Sequence, residues 1–201
     1  MSDALAILKS GAAALDLALT DAQFDQLLAY LALIQKWNKV YNLTAVRDPQ
    51  EMLTHHLLDS LTAIAPLVRH TQGRPAKVLD VGSGGGLPGI VLAISRPELD
   101  VSCVDTVGKK AAFIQQVAAT LKLPNLRGIH ARVEALTGPF DVICCRAFAS
   151  LPDFVSWSRN ALAGQGVWMA MKGKHPQGEI DGLPADVQVF HVEPLTVPGL
   201  D

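Results

Sequence analysis

Residues 78–89 read VLDVGSGGGLPG, where an apolar run carries the chain through Asp80 and then gives way to five glycines in the eight positions 82–89. Glycine gives up more conformational freedom on ordering than any other residue and brings no side chain to pack. A cluster this dense marks a backbone that something must approach closely. The stretch also fixes the local grammar: an apolar strand, a glycine turn, then an apolar helix beginning near Leu87.

Outward from this loop the same alternation continues. Strands are expected at 77–82, 100–105, 126–131, 140–145 and 166–173, with helices at Leu87–Ser95, Lys109–Leu121 and Pro152–Leu162 between them. Parallel strands need crossover helices, which cover both faces, so the expected class is an α/β doubly wound Rossmann-like sheet. A last strand is expected at 187–197, VQVFHVEPLTV. Upstream the period changes. Thr20 and Gln23 are spaced as a capping box ahead of a helical stripe of Phe24, Leu27, Leu28, Leu31 and Ile34. Asp48 and Pro49 open a second helix running to about Val68, with a break near Asp59. The chain therefore divides into an N-terminal helical segment, 1–73, packed on a sheet core, 74–201, joined at RHTQGRPA, 69–76.

Composition bounds the function. The 201 residues are 49% hydrophobic and 18% charged with a formal net charge of −2, enough for one main fold and no general attraction to nucleic acid. Any such partner must be held by a local basic surface. Three cysteines, all in apolar runs, read as reduced thiols and point to the cytoplasm. Neither a signal peptide nor a membrane span is expected, and there is no internal repeat.

Two motifs thread the glycine loop. Asp80, Gly82, Gly84 and Gly86 give D-x-G-x-G-x-G, whereas Gly84, Gly86 and Gly89 give the dinucleotide spacing G-x-G-x-x-G. Asp105, ending the second strand, would accept hydrogen bonds from a ribose diol in either reading. Asp80 suits the ammonium of S-adenosylmethionine better than a pyrophosphate, and Pro88 removes an amide donor that a phosphate would use. Methyl transfer is favoured, and nicotinamide chemistry stays open as the alternative.

Six further stretches carry a resemblance: KWNKVYNLTAVRDPQEML (36–53), HHLLDSL (55–61), LDVGSGGGLPGI (79–90), VDTVGKKAAFI (104–114), ARVEAL (131–136) and RAFASL (146–151). With them the chain resembles the RsmG (GidB) group of bacterial 16S ribosomal RNA guanine-N7 methyltransferases. The resemblance implies a class I methyltransferase sheet, S-adenosylmethionine as donor, and 7-methylguanosine formed at one guanine of the 530 loop of 16S rRNA, on naked rRNA or the small ribosomal subunit. Carried over by position, Gly82 and Leu87 would touch the cofactor in the loop, Val133 and Glu134 would lie near its adenine, and Arg146 would follow the fourth strand, placed to pair with the methionine carboxylate. A surface pairing of Arg146 with Asp153 is its alternative. The family's final strand follows PGLD, where this sequence stops, so that strand is expected to be missing.

Guanine N7 is a lone pair without a proton, so attack on a sulfonium methyl needs no general base and catalysis reduces to positioning. Arg146 and Lys172 are the positioning candidates, and Arg47, His55 and Lys172 the candidate substrate contacts. His55 and Asp59 stand one helical turn apart, but no third ligand accompanies them and no metal is expected. Trp37 and Tyr41, among Lys36 and Lys39, suit either an RNA surface or a seal between helices and sheet. No protein partner is evident, and a monomer is expected.

Overall fold

The structure is a computed structural model that describes residues 2–200. Its elements run α1 (Ser2–Ala14), α2 (Asp21–Tyr41), α3 (Pro49–Met52), a π-helical turn (Leu53–Leu58), α4 (Asp59–Leu61) and α5 (Ile64–Thr71). Then come β1 (Ala76–Val81), α6 (Gly89–Ser95), β2 (Leu99–Asp105), α7 (Gly108–Thr120), β3 (Leu126–His130), a 3-10 turn (Val133–Ala135) and β4 (Phe140–Arg146). The rest is α8 (Leu151–Ser158), a 3-10 turn (Arg159–Ala161), β5 (Leu162–Met171) and α9 (Gln177–Asp181). Among the described residues no helix is long and apolar enough to cross a membrane.

The five strands form one sheet in the order β3-β2-β1-β4-β5, and every pairing is parallel. This is the α/β doubly wound arrangement expected from the alternation of strand and helix patterns. β1 is central and nearly continuously buried, as a strand covered on both faces must be. Its neighbours are in register with it, Asp80 lying beside Cys103 of β2 and Cys144 of β4. All three cysteines are buried and free, and burial pushes their thiols up.

The helical segment shares a core with one face of the sheet. Leu27, Tyr30, Leu31 and Ile34 of α2 and Leu57 and Leu61 of the following turns pack in a single cluster with Ile90, Phe113 and Val101. The capping box of α2 serves this docking directly. Gln23 accepts the Thr20 N–H through Oε1 at 2.8 Å, and its Nε2 donates to the Ile94 and Ser95 carbonyls at the end of α6. One side chain thus closes the start of one helix and satisfies the end of another, where carbonyls lack intrahelical partners. Further along α2 the fully buried Tyr30 hydroxyl donates to the Gly85 carbonyl in the glycine loop.

Three expectations need correction. The helix expected from Pro49 to about Val68 is broken into short pieces by the π-helical turn and a gap at 62–63. The helix at the extreme N-terminus, α1, has no counterpart among the individual elements expected from sequence. Residues 187–197 form no strand: β5 pairs with β4, no further ladder lies beside it, and Val189, Phe190, Val192 and Leu195 stay exposed. Their alternation reads as a strand, but a strand needs a neighbouring backbone to satisfy its N–H and C=O groups.

Replacing Tyr30 by Phe leaves the Gly85 carbonyl without its buried donor, so a loss of about 1–3 kcal/mol in denaturant unfolding is expected. An unchanged midpoint would show that the loop carbonyl finds water instead.

Candidate active site

β1 leads through α6 to β2 on one side and β4 leads through α8 to β5 on the other. The connections diverge between the carboxyl ends of β1 and β4, the place where doubly wound sheets hold ligands. A cavity of about 150 Å³ opens there, lined by Gly82, Ser83, Gly84, Gly85 and Leu87 from the loop, Arg146 and Ala147 from the end of β4, and Ile34, Leu43, Thr44 and His56 from the helical segment.

The loop has little side-chain material of its own, so its shape is set by groups that seize its backbone. Gly82, Gly84 and Gly86 have φ of +63°, +57° and +91°, a region that L-residues with a Cβ avoid. Asp105 accepts the Gly84 N–H at 3.1 Å through Oδ2 and the Val107 N–H at 2.8 Å through Oδ1. Asp80 accepts the Gly89 N–H at 2.8 Å. A Cβ on Gly82 would run into the Phe148 ring, whereas Cβ atoms on Gly84 and Gly85 would meet nothing closer than Leu43 at 3.9 and 4.0 Å. At those two positions the bare backbone faces the cavity.

Asp80 does not face that cavity. It is fully buried beneath the loop, Oδ2 is used by Gly89, and Oδ1 has no conventional partner. Burial pushes its carboxyl up, opposed by the Gly89 N–H and by Arg146. The expected ammonium contact is replaced by support of the loop from below.

Arg146 is the cationic centre of the site. Its Nη1 donates to the His55 carbonyl at 2.7 Å and to Asp59 Oδ2 at 2.9 Å, and its Nη2 donates to His56 Nδ1 at 3.2 Å. The expected alternative partner, Asp153, is not engaged. Because a guanidinium has donors alone, His56 Nδ1 is the acceptor, and Nε2–H therefore donates to Thr44 Oγ1 at 2.8 Å. Thr44 in turn is held by Asn38, whose Oδ1 accepts its N–H at 3.0 Å, while Thr44 Oγ1 accepts the Val46 N–H. Burial, then Arg146, lowers His56 from 6.5 to about 4, so the ring is neutral at pH 7.

The π-helical turn is what presents this set. The Asp59 N–H bonds to Thr54 O and His56 O, not to the carbonyl four residues back, and that carbonyl, of His55, accepts from Arg146. Local π-turns recur at functional sites because they re-aim side chains within a helix. Here the turn brings His56, Asp59 and the His55 carbonyl onto one guanidinium. Sequence reasoning singles out His55 and misses His56 and Thr44. The doubled histidine in HHLLD is the available signal, but a regular α-helix pairs His55 with Asp59 and turns His56 away.

Of the other expected residues, Leu87 lines the cavity and Asp105 flanks the loop, both buried; the rest fall outside it. Val133 is buried in the core on the other face of the sheet, and Glu134 is exposed, 3.6 Å from Arg132. Arg47 is exposed and donates to Asn42, and His55 is exposed with Nδ1 3.0 Å from the Glu51 carbonyl. Lys172 donates to the Ala149 carbonyl at 2.8 Å and pairs with Glu179 at 3.1 Å, tying the end of β5 to the loop after β4. No cluster of three or more metal-ligating side chains is present among the described residues.

The model of the family described as rRNA small subunit methyltransferase G matches residues 23–201. The chain is 71% identical over 201 residues to the ribosomal RNA small subunit methyltransferase G of Acidovorax sp. (strain JS42), covering 96% of this chain and 89% of that protein. It is 66% identical over 212 residues to the protein of the same name from Paracidovorax citrulli (strain AAC00-1), covering 100% and 87%. Among solved structures, a putative S-adenosyl-L-methionine-dependent methyltransferase from Methanococcus maripaludis matches with a TM-score of 0.49 at 13% identity, over 70% of this chain and 61% of that one. The parallel sheet is the doubly wound, Rossmann-like α/β arrangement. With about two thirds or more of its residues shared over nearly its whole length, the chain belongs to the rRNA small subunit methyltransferase G family and is a small-subunit rRNA methyltransferase.

Proposed function

We propose that the protein forms 7-methylguanosine at one guanine of the 530 loop of 16S rRNA, by in-line methyl transfer without a general base, as a cytoplasmic monomer acting on rRNA or the small subunit. The observation that carries this reading is the meeting of the side-chain-free Gly84–Gly85 backbone and the Arg146 guanidinium in one cavity.

The residues present fit the cofactor. The cavity is on the scale of an amino acid, not of a whole nucleoside, and suits the methionine end. Three of the five Arg146 N–H donors are engaged, which leaves two for a carboxylate. Asp105 is held in place by two backbone N–H groups, and each of its oxygens keeps capacity to accept from a ribose hydroxyl. Leu87 supplies an apolar wall, and Val133 and Glu134, beyond β3, would flank the adenine. When bound, S-adenosylmethionine supplies a methyl carbon made electrophilic by its sulfonium.

The chain's own residues are left with positioning. Guanine N7 has no proton to lose, so a neutral His56 is in keeping with the chemistry: it orients Arg146 and accepts nothing from the substrate. Lys172 fixes the Ala149 carbonyl and through it the 147–150 loop beside the cavity. Arg47 and His55, both exposed, would contact the guanine or its neighbours.

The deciding assay is transfer of labelled methyl from S-adenosylmethionine to small subunits that lack the modification. Label in 7-methylguanosine of the 530 loop is expected, and label in another nucleoside would overturn the assignment. Arg146→Lys keeps the charge and loses the planar fork, so its cofactor Kd should rise about tenfold or more, corresponding to about 1.4 kcal/mol. His56 also predicts a pH dependence. The unfolded ring titrates near 6.5 and the folded one at about 4, so between those values the unfolded chain binds more protons and stability falls as pH drops. The melting midpoint of the wild type should fall more steeply from pH 6.5 to 4 than that of His56→Gln; parallel profiles would assign the loss to other groups.

A further inference from the structure

The protein is weakly acidic overall, yet its charges are unevenly distributed. Residues 26–47 and 106–133 together contain eight basic residues and no Asp or Glu. The fold brings these two stretches side by side, because Trp37 of α2 packs on Phe113 of α7 with ring centroids 5.3 Å apart. At the carboxyl end of α2, Lys109 Nζ stands 5.0 Å from the centroid of Tyr41, joining the start of α7 to the last residue of α2. Around this contact Lys36, Lys39 and Lys109 are exposed. Arg127 and Arg132, farther along, lie against Asp100 and Glu134, but Lys36, Lys39 and Lys109 make no ion pair among the described residues.

We propose that this face, built from two stretches without Asp or Glu and running from the carboxyl half of α2 through the start of α7, is the surface on which the phosphodiester backbone of the RNA substrate docks beside the cavity. The proposal rests on the rRNA methyltransferase reading and adds where the RNA lies. Position supports it: the loop that follows α2 supplies Leu43 and Thr44 to the cavity wall, so the carboxyl end of the helix leads into the site. Charge supports it as well. Asp105, the acidic residue nearest in sequence to the start of α7, is buried with both its oxygens on backbone N–H groups, so it does not neutralise the lysines at the surface. The Tyr41 ring holds Lys109 in place through a cation–π contact, which fixes a charge that would otherwise sample many rotamers.

The test compares wild type with the triple variant Lys36→Gln, Lys39→Gln, Lys109→Gln, and with Lys77→Gln as a charge control at the amino end of β1, the far end of the sheet. Binding of protein-free 16S rRNA is measured across a series of salt concentrations, alongside methyl transfer and cofactor Kd. The triple variant should raise KM for RNA at least tenfold with kcat and cofactor Kd unchanged. Its slope of log K against log salt should shrink by about 2–3, close to one for each phosphate that is no longer neutralised. The control should match wild type. Equal KM and equal salt slope in the triple variant would overturn the proposal, as would a defect seen on whole subunits but absent on protein-free rRNA, which would assign the face to a ribosomal protein. Loss of cofactor affinity would mark the lysines as structural and overturn it too. A wild type that methylates no rRNA at all would instead sink the underlying activity, a result separable from each of these.

Discussion

A loop made almost wholly of glycine cannot hold itself, and the rest of this structure is arranged around that difficulty. Four of the five residues 82–86 are glycine, so side-chain packing does little to define the path of this backbone. Beyond the turn in which the Gly86 and Leu87 N–H groups donate to the Ser83 carbonyl, its conformation depends on hydrogen bonds from outside. Asp105 reaches in from the end of β2, Asp80 from β1 beneath, and Tyr30 from α2 in the helical segment. Each contact comes from a different element, so the loop is well formed only when sheet and helices are docked together.

The burial of Asp80 follows the same logic at some cost. A carboxyl in the middle of a five-stranded sheet, between Cys103 and Cys144, is poorly solvated and is pushed toward its neutral form. A Val or Leu there would pack as well but would leave the Gly89 N–H with no partner as α6 begins. Gly89 itself is hemmed in: a Cβ there would approach both Cys103 Sγ and Asp80 Oδ2. The strand, the turn and the helix are thus fitted through one buried hydrogen bond, and a polar core residue is the condition for the helix starting where it does.

Much of this is legible in the sequence, and the parts that are not share a cause. The strand–helix alternation, the parallel sheet, the Thr20 capping box and the glycine loop follow from local pattern and turn chemistry, and they are found where those rules put them. Local pattern ties Asp80 to the loop but aims its carboxyl the wrong way, because strand alternation says which face a side chain takes and not whether a helix will cover it. His56 escapes a reading at a 3.6-residue period because the chain makes a wider π-turn there, a local choice settled by Arg146, 90 residues later. The 187–197 segment has the alternation of a strand without a neighbour to pair with. In all three cases tertiary context decides: the guanidinium that His56 meets lies 90 residues away, Asp80 turns inward to the Gly89 N–H, and 187–197 lacks a neighbouring strand, none of which local periodicity reports.

The same distances explain why the helical segment is part of the catalytic unit. Arg146, at the end of β4, would have a solvated and mobile guanidinium if the sheet stood alone. The π-helical turn and the residue after it supply a carbonyl, a carboxylate and a neutral imidazole to three of its donors, and Asn38 of α2 and Thr44 brace that imidazole. Holding His56 neutral matters to the arrangement. A protonated ring would have no acceptor for the guanidinium and would place two cations 3.2 Å apart. Burial by the helices, which lowers the histidine pKa, is therefore what allows Arg146 to be fixed in place by a neutral imidazole. The sheet provides the position and the helices provide the orientation, and neither makes the site without the other.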